Sequence, residues 1–212
     1  MQLNLFQKNI VLIGVFDVNQ FDKYFFIKNQ IVKEEEILVG SMFDVMGVKQ
    51  LITEEFTLLI SQAQIIISDI KLTNSNKISE VVLIILSIAP LWELNAMGFN
   101  FHLNSKCEDI ENETKRLFYN ENDKLISRFF NSQDAMFGTY ASADFIKSRM
   151  KLEIKPVVLT SVVNNVNVDS SDNINFAFNF HFELFLKGLN IIEILEDYST
   201  YSNKYKEMIS VY

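Results

Sequence analysis

The stretch Leu91-Trp92-Glu93-Leu94-Asn95-Ala96-Met97-Gly98-Phe99-Asn100-Phe101-His102-Leu103 ends in a strict alternation of large apolar and polar side chains. In an extended chain, successive side chains point to opposite faces. Phe99, Phe101 and Leu103 therefore share one face, and Asn100, His102 and Asn104 the other. The same tetrapeptide returns at Phe178-Asn179-Phe180-His181, where Phe178, Phe180 and Phe182 oppose Asn179, His181 and Glu183. Both segments read as strands of an antiparallel sheet, aromatic on the core face and polar on the outer one.

Working outward, the pattern predicts further strands over Lys8–Asp17, Ile37–Val48, Met136–Ile146, Met150–Leu159 and Ile174–Leu186. It also predicts a hairpin of Phe56–Ser61 with Gln64–Ile70. In that hairpin Phe56, Leu58 and Ile60 face Ile65 and Ile67. Val166–Asn173 reads as a polar loop, and Pro156, lacking an amide donor, marks an edge or a bulge. Asn76 caps a largely apolar helix that Pro90 ends, expected to be buried on most sides. Ser105-Lys106-Cys107-Glu108 has the form of a capping box. The helix it opens would carry Cys107, Ile110, Thr114, Leu117 and Phe118 on one stripe. Asn120–Asp134 is polar, with Leu125, Ile126, Phe129 and Phe130 at helical spacing. Asn190 and Glu193 open an amphipathic C-terminal helix bearing Tyr198, Tyr201, Tyr205 and Tyr212. Strands in antiparallel runs rather than regular strand–helix–strand alternation predict an α+β fold with mostly antiparallel sheet and a buried central helix.

The repeated Phe-Asn-Phe-His suggests two duplicated halves within one domain spanning residues 1–212. Phe43 lies thirteen residues before Phe56, and Phe137 the same distance before Met150. The following triplets Phe56, Leu58, Ile60 and Met150, Leu152, Ile154 then run in step. On this reading the repeat units are about 37–118 and 131–212.

Pro90 to His102 resembles a segment of an uncharacterised group of bacterial proteins of about this length. In that group a buried helix precedes a strand of the form Ala-hydrophobic-Gly-hydrophobic-Asn, here Ala96, Gly98 and Asn100. The region from Met136 through the strands at 151–156 and 175–184 to the last helix is similar as well, whereas Cys107–Asp134 departs from the group. The resemblance implies a fold and no activity.

Composition narrows the function classes. Nearly half the residues are hydrophobic and 19 are Phe, with only 6 Gly and 2 Pro, which excludes a disordered or loop-dominated chain. A net charge of −8 with scattered cations disfavours nucleic acid and anionic lipid as partners. A single cysteine cannot form an internal disulfide, and the N-terminus carries no secretory pattern, so a cytoplasmic location is expected. The apolar run 81–90 is too short to span a bilayer. Abundant Asn and Ile point to an AT-rich bacterial or viral genome.

No Gly-rich phosphate loop, nucleophile elbow or metal-ligand spacing is present, so no catalytic residue, metal or cofactor is assigned. Cys107 would be a nucleophile only beside a base and reads as a core thiol. Glu34-Glu35-Glu36 reads as a solvated loop. The polar edges Asn100, His102, Asn179, His181 and Glu183 are candidate ligand-binding residues. One compact pocket needs the two histidines within about 12 Å; the alternative is a solvated sheet face. Tyr198, Tyr201, Tyr205 and Tyr212 are candidate interface residues, against packing on the protein's own sheet. The function expected is a non-enzymatic protein-interaction or assembly subunit, self-associating or part of a larger complex. The other readings are a small-ligand domain or minor enzyme at the Asn-x-His edges, and a component of host–phage conflict.

Overall fold

A computed structural model describes residues 2–72, 76–88, 93–163, 166–184 and 188–211; for 158–163 and 166–171 it describes the backbone alone. In chain order the elements are β1 (Asn4–Val15), α1 (Lys23–Lys28), β2 (Val48–Ile52), β3 (Phe56–Ser61), β4 (Gln64–Asp69), α2 (Lys77–Ile88) and β5 (Glu93–Cys107). They continue with α3 (Ile110–Phe118), α4 (Lys124–Phe129), β6 (Thr139–Phe145), β7 (Ser148–Val163), β8 (Val166–Glu183), α5 (Ile191–Glu196) and α6 (Tyr198–Ile209). The strands form one eight-stranded sheet in the order β2-β3-β4-β1-β5-β8-β7-β6, and every pairing is antiparallel. The fold is α+β.

The two Phe-Asn-Phe-His strands are neighbours. Phe99 pairs with Phe180, Asn100 with Asn179 and Phe101 with Phe178. Parity carries the phenylalanines to one face, where Phe99, Phe101, Phe176, Phe178, Phe180 and Phe182 are all fully buried. Residues from α1, α2, α3, α5 and α6 join the same hydrophobic cluster: Phe26, Val82, Ile110, Leu195 and Tyr201 are representatives. Tyr198 meets Phe99 edge-on with centroids 4.8 Å apart, and Tyr205 stacks on Phe101 at 4.3 Å. Tyr198, Tyr201 and Tyr205 are thus packed on the protein's own sheet, while Tyr212 lies outside the described residues.

The chain does contain two topologically equivalent halves, but not the units the sequence pattern predicted. β1 to α2 and β5 to α6 each run strand, helical segment, three-stranded meander, helical segment, with one α-helix at each point in the first half and two in the second, and each places its first strand beside its last. β1 and β5 then pair at the centre. β3 and β7, matched by the thirteen-residue spacing, are equivalent. The two tetrapeptide strands are not, since β5 opens the second half and β8 is its last strand. Repeat units of 37–118 and 131–212 are therefore replaced by 4–88 and 93–209.

Four local expectations also change. Ile37–Val48 is not a strand: Gly40 and Gly47 take φ of +99° and +79°, a left-handed backbone that interrupts extension, and β2 begins only at Val48. Ser105 caps nothing. It is a buried residue of β5, whose pairing with β8 continues to Cys107 opposite Asp172, and Asp109 caps α3 by accepting from the Asn112 amide at 3.0 Å. Val166–Asn173 is strand, paired with β7 apart from a bulge at Val168. The C-terminal helix is two helices that meet at Asp197, with Asn190 capping the first as expected. Pro156 sits beyond Ile154, the last β7 residue that β6 pairs, so β7 is an edge there. The apolar helix is present as α2, with Ile78, Val81, Val82 and Ile85 buried; its expected stop at Pro90 lies outside the described residues.

One polar pair enters the core face. Lys8 Nζ donates to Asp69 Oδ2 at 3.1 Å, both side chains almost fully buried, and the Asp69 Oδ1 accepts from the Leu72 amide at 2.9 Å. Burial holds the Lys8 ammonium below its ordinary pKa, against the opposing influence of Asp69.

The weight of the fold on this aromatic layer is measurable. Phe101→Ala removes a ring in contact with Tyr198, Tyr205 and Phe180, and urea unfolding should show a loss of about 3–5 kcal/mol. Phe6→Ala, at a ring 44% exposed, should cost well under half of that. Equal losses would remove the aromatic layer as the dominant core.

Candidate functional site

The face opposite the phenylalanines is built in rows by the strand register. One row runs Ser68, Asn9, Asn100, Asn179, Lys151, Ser142 across β4, β1, β5, β8, β7 and β6. On one side of it lies Ile66, Val11, Gly98, His181, Arg149, Asp144. On the other lies Gln7, His102, Ala177, Glu153, Tyr140.

The asparagines occupy one another. Asn100 Nδ2 donates to Asn9 Oδ1 at 2.7 Å, and Asn179 Nδ2 donates to Asn100 Oδ1. Asn9 is buried, and Asn100 and Asn179 are half-buried. Gly98 leaves the space that Asn179 uses: a Cβ there would lie 3.3 Å from the Asn179 amide nitrogen. The ladder is a cross-strand tie whose central member, Asn100, spends both its donor and its acceptor inside the row.

The histidines are not brought together. His181 faces Gly98, and His102 faces Ala177, four residues further along β8. At roughly 3.4 Å per residue this sets them about 14 Å apart, beyond the reach of one compact ligand. His102 is half-buried, its ring edge-on to Phe6 at 6.1 Å. Burial, and next the Lys155 cation, push its pKa below the ordinary 6.5. Glu183 is exposed and faces Ala96. The five polar candidates therefore share a face without forming a pocket.

Among the described residues no group of three His, Cys, Asp or Glu could hold a metal ion. Cys107, half-buried at the end of β5, has no place in a helical first turn. A cleft of about 310 Å³ elsewhere is lined by Glu35, Glu36, Glu54 and Glu55 together with Lys71 and Lys77. Its charges are mixed, and Lys71 already lies 3.7 Å from Glu55.

Two features of this face escaped sequence reasoning. The apolar group Val11, Ile13, Leu59, Ile66 and Ala96 spans β1, β3, β4 and β5. Ile13 is 44% and Leu59 36% exposed. Period-two parity places each residue within its own strand, but only the pairing register shows that they adjoin. The Asn9 partner of the ladder was equally invisible without register.

No protein-family model matches this chain, and no curated protein sequence matches it.

Asn100→Ala unpairs two amides at once and should cost about 1–3 kcal/mol in chemical denaturation, more than Asn179→Ala. Equal or negligible costs would mean the row carries no energy. His102 should titrate below 6.5 by NMR. Because the unfolded chain takes up that proton first, His102 stabilises the fold less as pH falls through and below 6.5, a slope that His102→Gln should flatten.

Proposed function

We propose that this chain is a non-enzymatic interaction or assembly subunit of a bacterium or phage, working in the cytoplasm and binding protein through the open face of its sheet. The observation that carries the reading is the one-sidedness of the molecule. The buried helical residues gather in the phenylalanine-face cluster, and the opposite face of an eight-stranded sheet presents most of its alternate residues at intermediate or high exposure, with Asn9, Gly98 and Asn173 buried within it.

The chemistry of that face favours a protein over a small ligand. Toward β3 and β4 it is apolar, with Leu59, Ile66, Val11 and Ile13. Toward β6 and β7 it is charged, with Arg149, Lys151, Glu153 and Lys155. An apolar centre beside polar, charged surface is the arrangement of protein interfaces, and contiguous exposed apolar area on a soluble domain marks interaction surfaces. In the asparagine row between the two regions, Asn100 already has its amide nitrogen and oxygen engaged by Asn9 and Asn179. No helix among the described residues is long and apolar enough to cross a membrane.

The reading is tested on the face itself. Tagged wild-type protein and an Ile13→Asp/Leu59→Asp variant would be expressed in the same host and their co-purifying proteins quantified by mass spectrometry. Both positions are solvent-accessible, so the melting temperature should hold within a few degrees. A stoichiometric partner retained by the wild type and lost at least tenfold by the variant is the expected outcome. Identical partner profiles for two folded proteins would overturn the assignment.

A further inference from the structure

The two outer edges of the sheet are treated differently. β2, at one end, is sealed by the chain that precedes it. The Leu38 amide donates to the Ile52 carbonyl at 2.9 Å, Met42 and Gln50 exchange amide-to-carbonyl bonds at 2.7 and 2.8 Å, and the Ile52 amide donates to Ser41 Oγ at 2.9 Å. β6, the equivalent strand of the second half, has no such cover. Among the described residues no segment pairs with its outer side, and Thr139 to Asp144 are all exposed.

Free edges of this length are usually blunted by lysine, proline, a bulge or a covering loop, since their unpaired amides and carbonyls template another strand. β6 has none of these. Its pairing with β7 runs from Thr139 to Phe145 without a register shift. Its only charge, Asp144, is drawn back by Arg149 at 3.1 Å. Ala141, Ser142 and Ala143 are small enough for close approach. The chain just before and after it carries exposed apolar side chains at Leu125, Phe129, Phe130, Met136 and Ile146, between 43% and 64% exposed.

We propose that β6 is a homodimerisation edge, pairing antiparallel with β6 of a second copy to make one continuous sheet. The self-pairing is favoured on three grounds. A register centred on Ser142 sets Ala141 against Ala143 and Tyr140 against Asp144 of the other copy, so no like charges meet. The molecule already joins its own equivalent halves this way, through antiparallel pairing of β1 with β5. And pairing β6 with its own copy uses that edge in both chains, while β2 is sealed, so neither outermost strand is left to extend the sheet into a fibre. The exposed apolar residues flanking β6 add area that strand pairing alone lacks.

This deepens the interaction reading above by naming one partner, and it uses a different surface. Analytical ultracentrifugation of the wild type should show a concentration-dependent species of twice the 24.6 kDa chain. Ala141→Lys/Ala143→Lys, which sets lysine against lysine in that register, should shift dissociation at least a hundredfold towards monomer. Hydrogen exchange of the wild type supplies a readout that needs no variant: amides of 139–145 should gain protection across the dissociation range while those of 48–52 stay constant. A wild type that remains monomeric to several hundred micromolar overturns the proposal, as does a dimer in which 139–145 exchange is unchanged. A monomer whose β6 binds only a foreign extended peptide overturns it too. The Ile13→Asp/Leu59→Asp protein should still dimerise, so loss of partner capture with dimerisation intact separates a failure of the open-face reading from a failure of this one.

Discussion

The pairing of β5 with β8 sets the rest of the molecule. Phe99 against Phe180, Phe101 against Phe178 and Leu103 against Phe176 bury six large side chains on one face. At about 1.5–3 kcal/mol each, the transfer of these side chains from water outweighs any single polar contact opposite them. Hydrophobic burial therefore decides which face is inward. It does not decide register, because a two-residue slip keeps every phenylalanine inside. The asparagine row resolves that choice: only the observed register puts Asn100 between Asn9 and Asn179. A one-residue slip is worse still, since it would carry polar side chains into the aromatic layer. Burial selects the face and hydrogen bonds select the alignment.

Much of this was legible in the sequence, and the reasons for the failures are physical. Parity named the core phenylalanines, the β3–β4 hairpin and the buried face of α2, because period-two and period-3.6 patterns depend only on nearby residues. Ser105 was misread because a local cap competes with strand pairing, and sheet hydrogen bonds continuing to Cys107 won. Ile37–Val48 was misread because two glycines were passed over. α1 was missed although Asp22 caps it, accepting from the Phe25 amide at 2.7 Å. The tetrapeptide repeat was real but its meaning was not: two like strands had become neighbours in one half rather than equivalents in two. Which strands pair is a property of the whole chain, and the candidate site inherits that limit. Parity placed His102 and His181 on one face, but their separation along it follows from the β5–β8 register alone.

The equivalence of the halves makes their differences informative. Both first strands serve the central junction, and both meanders run outward from it. The first half ends in a sealed edge and an apolar outer surface, the second in an open edge and a charged one. Asymmetry of this kind separates an exposed backbone margin at β6 from the exposed apolar side chains over β1 and β3.

The buried Lys8–Asp69 pair belongs to the same division of labour. Lys8 lies on β1 and Asp69 at the end of β4, both in the first half, yet the ammonium also stands 5.5 Å over the ring of Tyr198 on α6, in the second. Two desolvated charges hold a fold together no better than well-packed apolar side chains of similar volume, and often less well. The Tyr198 hydroxyl, buried with no hydrogen-bond partner among the described residues, adds a further cost. What the arrangement contributes is direction. A cation with one carboxylate and one aromatic face beside it is satisfied in few positions. The penalty at Lys8 is offset by the surrounding aromatic burial. The arrangement sets a charged pair of the first half directly against the last helix of the second, on the aromatic side of the sheet.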